Sequence, residues 1–342
     1  MTSGRAFYQV PVAEVVAETD QACSLVLGVP AGLAGIFAYQ PGQFVTVRVP
    51  LPEGGSAARC YSLSSSPHAG DPPAVTVKRM PSGYASNWIA DTVRPGTVLD
   101  LLPPAGTFTP RSLDSDFLML AAGSGITPVI SIIKSALAAG RGRITLIYAN
   151  TDERSVIFGA RLRELQSAAP GRLLVLHWLD VLQGPPDAAA LRELAGPYAG
   201  ADAYVCGPDP YMAAARQALR GLGVPAQRVH VERFLSLAEN PFEASAAPET
   251  GVAALLSVEL DGQVHTLDWP AGRRMLDVMI DARLAASYSC REGVCGACAC
   301  RLLDGEVEMA HNEVLEDEDL ADGYVLACQS LALTPEVSVS YD

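Results

Sequence analysis

The chain has 342 residues, 49% of them apolar and 18% charged, with a formal net charge of −14. That composition excludes a largely disordered chain, and the length suggests two or three domains, of which we expect three. The acidity argues against nucleic acid and anionic membranes as partners; no apolar run reaches the roughly 18 residues of a membrane span, and the opening MTSGRAFYQVPVAEV carries no export signal, so a cytoplasmic protein is expected.

From Phe7 to Leu102, short runs such as VPVAEVVAET, CSLVLGV, QFVTVRV, AVTVKRM and TVLDLL alternate with Gly and Pro turns. They predict an antiparallel β-barrel domain over residues 1–112. Within it, Arg59-Cys60-Tyr61-Ser62 falls on a strand, where alternation puts Arg59 and Tyr61 on one face. A guanidinium there can pair with a phosphate while the phenol ring lies against a flat ring system. Taken alone, a tyrosine between polar neighbours on a strand is more often a half-buried packing residue. In VKRMPSGYASNWI, Gly83 permits close backbone approach, and Ala85 to Asn87 open a short helix whose free N–H groups suit a diphosphate.

Between Asp116 and Val231 the pattern becomes apolar strands alternating with helices, which predicts a parallel α/β domain over 113–235. In FLMLAAGSGITPVISIIKSAL, Gly123 and Gly125 allow a sharp turn and Thr127-Pro128 begin a helix, placing unpaired N–H groups where a pyrophosphate can bind. A lone G-x-G is weak, and its position after a buried strand strengthens it. AYVCGPDPYM puts Cys206, Gly207 and Pro208 at the carboxyl end of another strand, where such sheets carry ligands. For Cys206, a buried strand-end thiol is the structural alternative.

Residues 236–251, SLAENPFEASAAPETG, lack an apolar period and predict a linker that tethers the last domain yet lets it reorient. The final domain, 252–342, opens with two strands about an Asp-Gly turn and a helix near RRMLDVMIDARL. It holds 17 Asp and Glu against 5 Arg, a net of −12, which suits a partner with a basic docking face or serves solubility alone. Eight cysteines without an export signal point to metal binding or catalysis rather than disulfides. Three are scattered, but Cys290, Cys295 and Cys298 have the spacing C-x4-C-x2-C, and Cys328 follows 30 positions after Cys298. This is the plant-type [2Fe-2S] pattern. A structural zinc would more commonly use two paired knuckles, and a Rieske centre needs two histidines where only His311 is near. Cys300 reads as a buried small apolar residue.

The RCYS and GYAS segments together resemble the R-x-Y-S and G-x-x-S flavin fingerprint of the ferredoxin-NADP reductase superfamily. The resemblance implies that Arg59 and Ser86 hold the flavin phosphates, Tyr61 packs on the ring, Ser62 approaches N5 and Phe234 lies near the other face. Val77, Gly83, Tyr84 and Ala85 complete the implied pocket, and GYASNWI favours FAD over FMN. On the nicotinamide side it implies contacts from Gly123, Gly125, Ile126, Thr127, Gly207 and Pro208, with Cys206 beside the nicotinamide and Asn150 to Arg154 at the adenosine ribose. Tyr61, Ser62 and Cys206 are then the candidate catalytic residues. Thr151 stands where many relatives have Arg, which favours NADH, while Arg154 leaves NADPH open.

The domain order, with VERFLSL, SCREGVCGACAC and GYVLACQS, resembles the reductase components of bacterial oxygenases. Those serving 3-ketosteroid 9α-hydroxylases come nearest, and those of phenylacetyl-CoA epoxidases next. The resemblance implies a flavin-binding β-barrel, a nicotinamide-binding α/β domain and an α+β ferredoxin (β-grasp) domain. Electrons would pass from NADH through FAD and the cluster to a terminal oxygenase docked at the acidic ferredoxin domain. A stand-alone acceptor reductase and a redox sensor are the competing classes.

Overall fold

A computed structural model of the chain describes residues 7–234, 236–237, 240–243, 251–284 and 286–341. None of its helices is long and apolar enough to cross a membrane, among the described residues.

The first domain contains β1 (Tyr8–Thr19), β2 (Ala22–Leu27), β3 (Phe44–Pro50), β4 (Ser56–Ser62), β5 (Ala74–Lys78), helix α1 (Tyr84–Thr92) and β6 (Val98–Leu101). The strands run antiparallel in the order β4-β3-β6-β1-β2-β5, and the bridge from Leu63 to Val75 joins the outer strands. Closure removes two free sheet edges. Val10, Val12, Leu25, Val45, Val47, Val75 and Val77 fill the interior at alternate positions, and α1 packs Ala85 and Ile89 on the same core.

The second domain carries β7 (Phe117–Ala122), α2 (Ile126–Ala139), β8 (Ile144–Asn150), α3 (Gly159–Ala168), β9 (Leu173–Leu179), α4 (Asp180–Gln183), α5 (Ala188–Ala195), β10 (Asp202–Cys206), α6 (Asp209–Gly221) and β11 (Val229–Glu232). The five strands are parallel in the order β11-β10-β7-β8-β9. Along β7 the period-two rule divides the core. Phe117, Met119 and Ala121 meet α2 and α3, and Leu118, Leu120 and Ala122 meet α5 and α6. Helices therefore cover both faces, and the carboxyl ends of the strands gather the Gly-rich turn after β7, Asn150 and Cys206.

The third domain has β12 (Ala254–Leu260), β13 (Gln263–Trp269), α7 (Met275–Asp281), β14 (Ala299–Asp304), β15 (Val307–Met309), α8 (Asp317–Ala321), β16 (Tyr324–Leu326), β17 (Ser330–Ala332) and β18 (Glu336–Ser340). The main sheet runs β13-β12-β18-β14-β16, with β12 parallel to β18. Asp261 and Gly262 both have positive φ and make the tight β12–β13 turn. Leu276 and Met279 of α7 pack on Leu256, Val258 and Trp269, giving the expected α+β arrangement.

The barrel and the ferredoxin domain share buried surface. Ala58 and Leu102 of the barrel belong to the ferredoxin core, and Phe44 and Ala105 pack with Cys290 and Cys295. The expected loose tether is anchored where it is described. Phe242 is buried in the ferredoxin core and meets Phe7 edge-on at 6.0 Å. Asn240 Nδ2 donates to the Ser56 carbonyl at 2.7 Å, and Ser56 Oγ donates to Glu243 Oε1 at 3.1 Å. Linker residues 238, 239 and 244–250 lie outside the described residues.

Candidate electron-transfer site

The loop from Ser289 to Cys298 is wound to aim backbone N–H groups at sulfur. Arg291, Gly293 and Gly296 all have positive φ. A Cβ at Gly293 would crowd the His311 carbonyl and the Gln329 side chain, so the turn tolerates no larger residue there. The amide of Glu292 donates to Cys290 Sγ at 3.3 Å, that of Cys328 to Cys298 Sγ at 3.4 Å, and Gln329 Nε2 to Cys328 Sγ at 3.5 Å. All four thiols are buried.

The thiols stand as two hydrogen-bonded pairs, Cys290 with Cys295 and Cys298 with Cys328. In each pair one partner, Cys290 or Cys328, is pulled down by the hydrogen bond it receives, and the other is pushed up. Among the described residues no group of three or more His, Cys, Asp or Glu side chains converges as a single metal ion requires. Two pairs of thiols ringed by N–H donors fit two irons, each taking two thiolates, better than one tetrahedral zinc. The loop is braced from behind by Arg291, which is buried and paired with Asp277 of α7 while its carbonyl accepts from Gln329 Nε2 at 2.6 Å.

On β4, Arg59, Tyr61 and Ser62 lie at the end of the barrel sheet. Tyr61 is half-buried against the same core as Ala85 and Val77, and burial pushes its hydroxyl pKa up. Arg59 donates to the Ala58 carbonyl at 2.7 Å, and Ser62 is buried. At the head of α1, Ser86 Oγ accepts from the Met80 amide at 3.1 Å and donates to the Gly83 carbonyl at 3.3 Å. A Cβ on Gly83 would meet Met80 Cβ at 2.8 Å, so glycine is needed where the chain turns into the helix. Tyr84 is exposed. Val77 is wholly enclosed in the barrel core, so only its backbone could touch a ligand.

The nicotinamide candidates converge at the carboxyl ends of β7, β8 and β10. A Cβ on Gly125 would overlap the Cys206 carbonyl, and one on Gly207 would meet Ala122 Cβ at 2.9 Å. The Gly-rich turn thus nests directly against the Cys206–Gly207 strand end, and Pro208 caps α6 there. Thr127 Oγ1 donates to the Ser124 carbonyl at 3.0 Å, and Tyr148 OH donates to the Gly123 carbonyl at 3.1 Å. Ile126 is wholly buried in the domain core, and only its backbone faces the turn. Cys206 is also fully buried, which pushes its thiol pKa well up and keeps it protonated. Asn150 is buried at the end of β8, its carboxamide beside the Tyr148 hydroxyl but without hydrogen-bond geometry to it. Arg154 is exposed on the turn that Asp152 caps.

A cavity of about 490 Å³ lies where the three domains meet. Its lining includes Cys60 and Ser62 from the barrel, Glu232 and Phe234 from the nicotinamide domain, and Cys290 and Cys295 from the cluster loop. Phe234 is 46% exposed and stands at its wall. Residues expected separately for flavin and cluster thus share one chamber, whereas Arg154 and Asn150 do not line it.

Three features escaped sequence reasoning. Glu232 pairs in register with Cys206 across β10 and β11, and burial pushes its carboxyl up to about 8. The Lys78 ammonium lies 3.3 Å from where a Cβ on Gly123 would stand, a cation at the Gly-rich turn. Asp180 directly follows Leu179, the register partner of Asn150, and its Oδ1 is buried without a hydrogen-bond partner. The first follows from the pairing of β10 with β11 and the second from the way the barrel meets the nicotinamide domain, neither of which a local pattern marks.

A barrel with a phosphate-binding fingerprint, a parallel sheet with a Gly-rich turn and a four-thiol loop define a flavin-dependent pyridine-nucleotide reductase with a C-terminal [2Fe-2S] domain. Comparison with known proteins agrees. An oxidoreductase FAD-binding domain matches residues 12–109, an oxidoreductase NAD-binding domain 119–217, and a 2Fe-2S iron-sulfur cluster binding domain 258–333. The ferredoxin reductase component of 3-ketosteroid-9-alpha-monooxygenase from Mycobacterium tuberculosis is 54% identical, covering 98% of this chain and 96% of the relative. Its counterpart from Rhodococcus rhodochrous is 50% identical over 96% and 95%. A 1,2-phenylacetyl-CoA epoxidase component from Escherichia coli is 33% identical over 98% of both chains. Phthalate dioxygenase reductase shares the fold across 98% of both chains, with a TM-score of 0.59 at 24% identity. The chain belongs to the ferredoxin-NADP reductase-type family of monooxygenase reductase components, and it is an NADH-dependent oxidoreductase that uses FAD and a [2Fe-2S] cluster.

Proposed function

We propose that this reductase delivers single electrons to a terminal Rieske oxygenase of the 3-ketosteroid 9α-hydroxylase type, in the cytoplasm. The observation that carries the reading is the shared chamber in which Ser62 and Phe234 face the same space as Cys290 and Cys295. FAD held by Arg59, Tyr61, Ser62 and Ser86 would supply the conversion from two-electron hydride chemistry to the one-electron chemistry of a [2Fe-2S] cluster.

The chain's own groups prepare each hand-over. Arg59 and the free N–H groups at the head of α1, arranged by Gly83, Tyr84, Ala85 and Ser86, would neutralise the FAD phosphates. Tyr61 and Ser62 would hold the ring, with Val77 contributing backbone and Phe234 standing at the chamber wall. Gly123, Gly125, Ile126 and Thr127 would present amides to the NADH pyrophosphate beside Lys78, with Gly207 and Pro208 closing the turn. Cys206, held neutral by burial, would act as a wall beneath the nicotinamide. Asn150 and Arg154 would meet the adenosine ribose, and the Asp180 carboxylate would disfavour a 2′-phosphate there. Cys290, Cys295, Cys298 and Cys328 would hold the irons. The functional units are 1–112, 113–235 and 252–342, joined by 236–251.

For the outlet we propose the acidic segment from Glu313 to Asp322. It includes the exposed Glu316, Asp317 and Glu318, and it touches the cluster loop through the Glu313 amide, which donates to the Gly293 carbonyl at 3.0 Å. The identity to 3-ketosteroid reductase components supports that oxygenase class over the epoxidase. The test is reconstitution. With NADH and a purified 3-ketosteroid 9α-hydroxylase oxygenase, the reductase should support steroid hydroxylation at a rate that falls as ionic strength rises. NADH oxidation that no oxygenase stimulates would refute the assignment.

A further inference from the structure

Three side chains join the barrel to the cluster loop inside the apolar contact between the domains. Thr46 on β3 pairs in register with Cys60 on β4, and Thr46 Oγ1 lies 3.4 Å from Cys60 Sγ. The same Oγ1 is 2.7 Å from Ser289 Oγ, 243 positions away in sequence. Thr46 and Ser289 are 0% and 1% exposed. Ser289 immediately precedes the first thiol of the cluster loop, and Cys60 immediately precedes Tyr61 of the flavin fingerprint. Around this contact Phe44 and Ala105 pack against Cys290 and Cys295, and a Cβ on Gly296 would meet Thr107 Cγ2 at 3.0 Å.

We propose that the Thr46–Ser289 hydrogen bond is a positioning contact that registers the cluster loop on the flavin-binding strands and thereby sets the rate of electron transfer from flavin to cluster. Apolar packing brings two surfaces together without direction, and sliding by a fraction of a side chain costs it little. A hydrogen bond between two buried hydroxyls has one good geometry, and a slip gives up the 2.7 Å contact and leaves Thr46 with the weaker Cys60 thiol as its partner. The bond lies between the residue before Cys290 and the strand neighbour of Cys60. Small displacements of the loop relative to Tyr61 and Ser62 are therefore resisted at the point where the two redox sites approach each other. These groups act through the loop and strand they hold and touch neither substrate nor reacting atoms.

The inference rests on the flavin and cluster assignments above, so the experiment begins from holoprotein whose flavin and iron-sulfur absorbance is verified. A colourless protein defeats those assignments; a coloured one tests the positioning role. Thr46→Val keeps the shape and removes the hydroxyl, Ser289→Ala removes its partner, and Thr46→Ser restores the bond. Two readouts are taken. The first is hydrogen–deuterium exchange of residues 289–296 in the oxidised protein without NADH. The second is stopped-flow absorbance, which resolves flavin reduction by NADH from the subsequent reduction of the cluster. We expect exchange in the loop to rise in Thr46→Val and Ser289→Ala, and cluster reduction to slow by about tenfold, the factor that loss of one buried hydrogen bond represents. Flavin reduction should be unchanged, Thr46→Ser should restore both readouts, and the double variant should be no worse than either single one. Unchanged exchange and cluster reduction in coloured variants, or flavin reduction falling in step with cluster reduction, would overturn the proposal.

Discussion

Cys206 and Glu232 end neighbouring parallel strands in register, a buried thiol beside a half-buried carboxyl that lines the central chamber. Burial favours the protonated form of both. The Glu232 carboxyl, raised to about 8 from 4.5, is neutral over much of the neutral range. With its proton kept, Glu232 adds no negative charge of its own to the wall of the chamber.

The raised carboxyl couples folding to pH. Between 4.5 and about 8 the folded chain keeps the Glu232 proton while the unfolded chain releases it. The contribution to stability is therefore complete below the lower value and is lost as pH rises through the upper one. We expect the thermal midpoint to fall more steeply between these limits in the wild type than in Glu232→Gln. Differential scanning calorimetry across that range measures the two slopes, and identical slopes would show that Glu232 titrates normally.

Gly125→Ala places a Cβ into the Cys206 carbonyl. Either the Gly-rich turn or the end of β10 must move, and such overpacking commonly costs about 1–3 kcal/mol. On the proposed role of the turn in presenting amides to the NADH pyrophosphate, we expect weaker NADH binding with normal flavin and cluster absorbance. Titration of the oxidised protein with NAD analogues measures the affinity. Binding at the wild-type level would mean that the turn adapts and that the fit of Gly125 is incidental.

Much of this was legible in the chain. Cys290, Cys295, Cys298 and Cys328 announced themselves by spacing, and the β-branched runs of the barrel and the buried β7 and β8 by period. The ferredoxin strands after Cys298 were not read, because β14 to β18 are short and three of them have only three residues. Contacts between domains were hidden for a different reason. Thr46 and Ser289 look like ordinary strand and loop residues until folding brings them to 2.7 Å, and no local pattern marks a pair so far apart in sequence. Phe242 misled in the opposite sense. A single aromatic in an Ala- and Pro-rich stretch has no periodicity to betray that it is buried.

Asp180 carries a testable preference. Its carboxylate stands beside the strand end of Asn150, where a 2′-phosphate would be repelled. We expect Asp180→Thr to shift the ratio of kcat/KM for NADPH over NADH by about tenfold or more in favour of NADPH, since juxtaposed like charges cost several kcal/mol. Steady-state reduction of an artificial acceptor by each nucleotide gives the ratio. A ratio that does not change would place the ribose elsewhere.

The distinction between cluster thiols and their neighbour gives the last expectation. Cys298 accepts the Cys328 amide and shares a hydrogen bond with the Cys328 thiol, whereas Cys300, two residues on, is buried with its thiol pushed up to about 12, beside the Tyr341 hydroxyl and 3.9 Å from the Val325 carbonyl. Cys298→Ser should abolish the low-temperature EPR signal of the reduced protein and lower the thermal stability of the ferredoxin domain, because metal binding and folding are coupled there. NADH-dependent flavin reduction should persist, since the barrel and nicotinamide domain each have their own core. Cys300→Ala removes only a sulfur from the packed interior, a loss of about 1 kcal/mol, and should keep the EPR signal. A signal that survives Cys298→Ser but disappears in Cys300→Ala would mean that the iron is held by a different set of thiols.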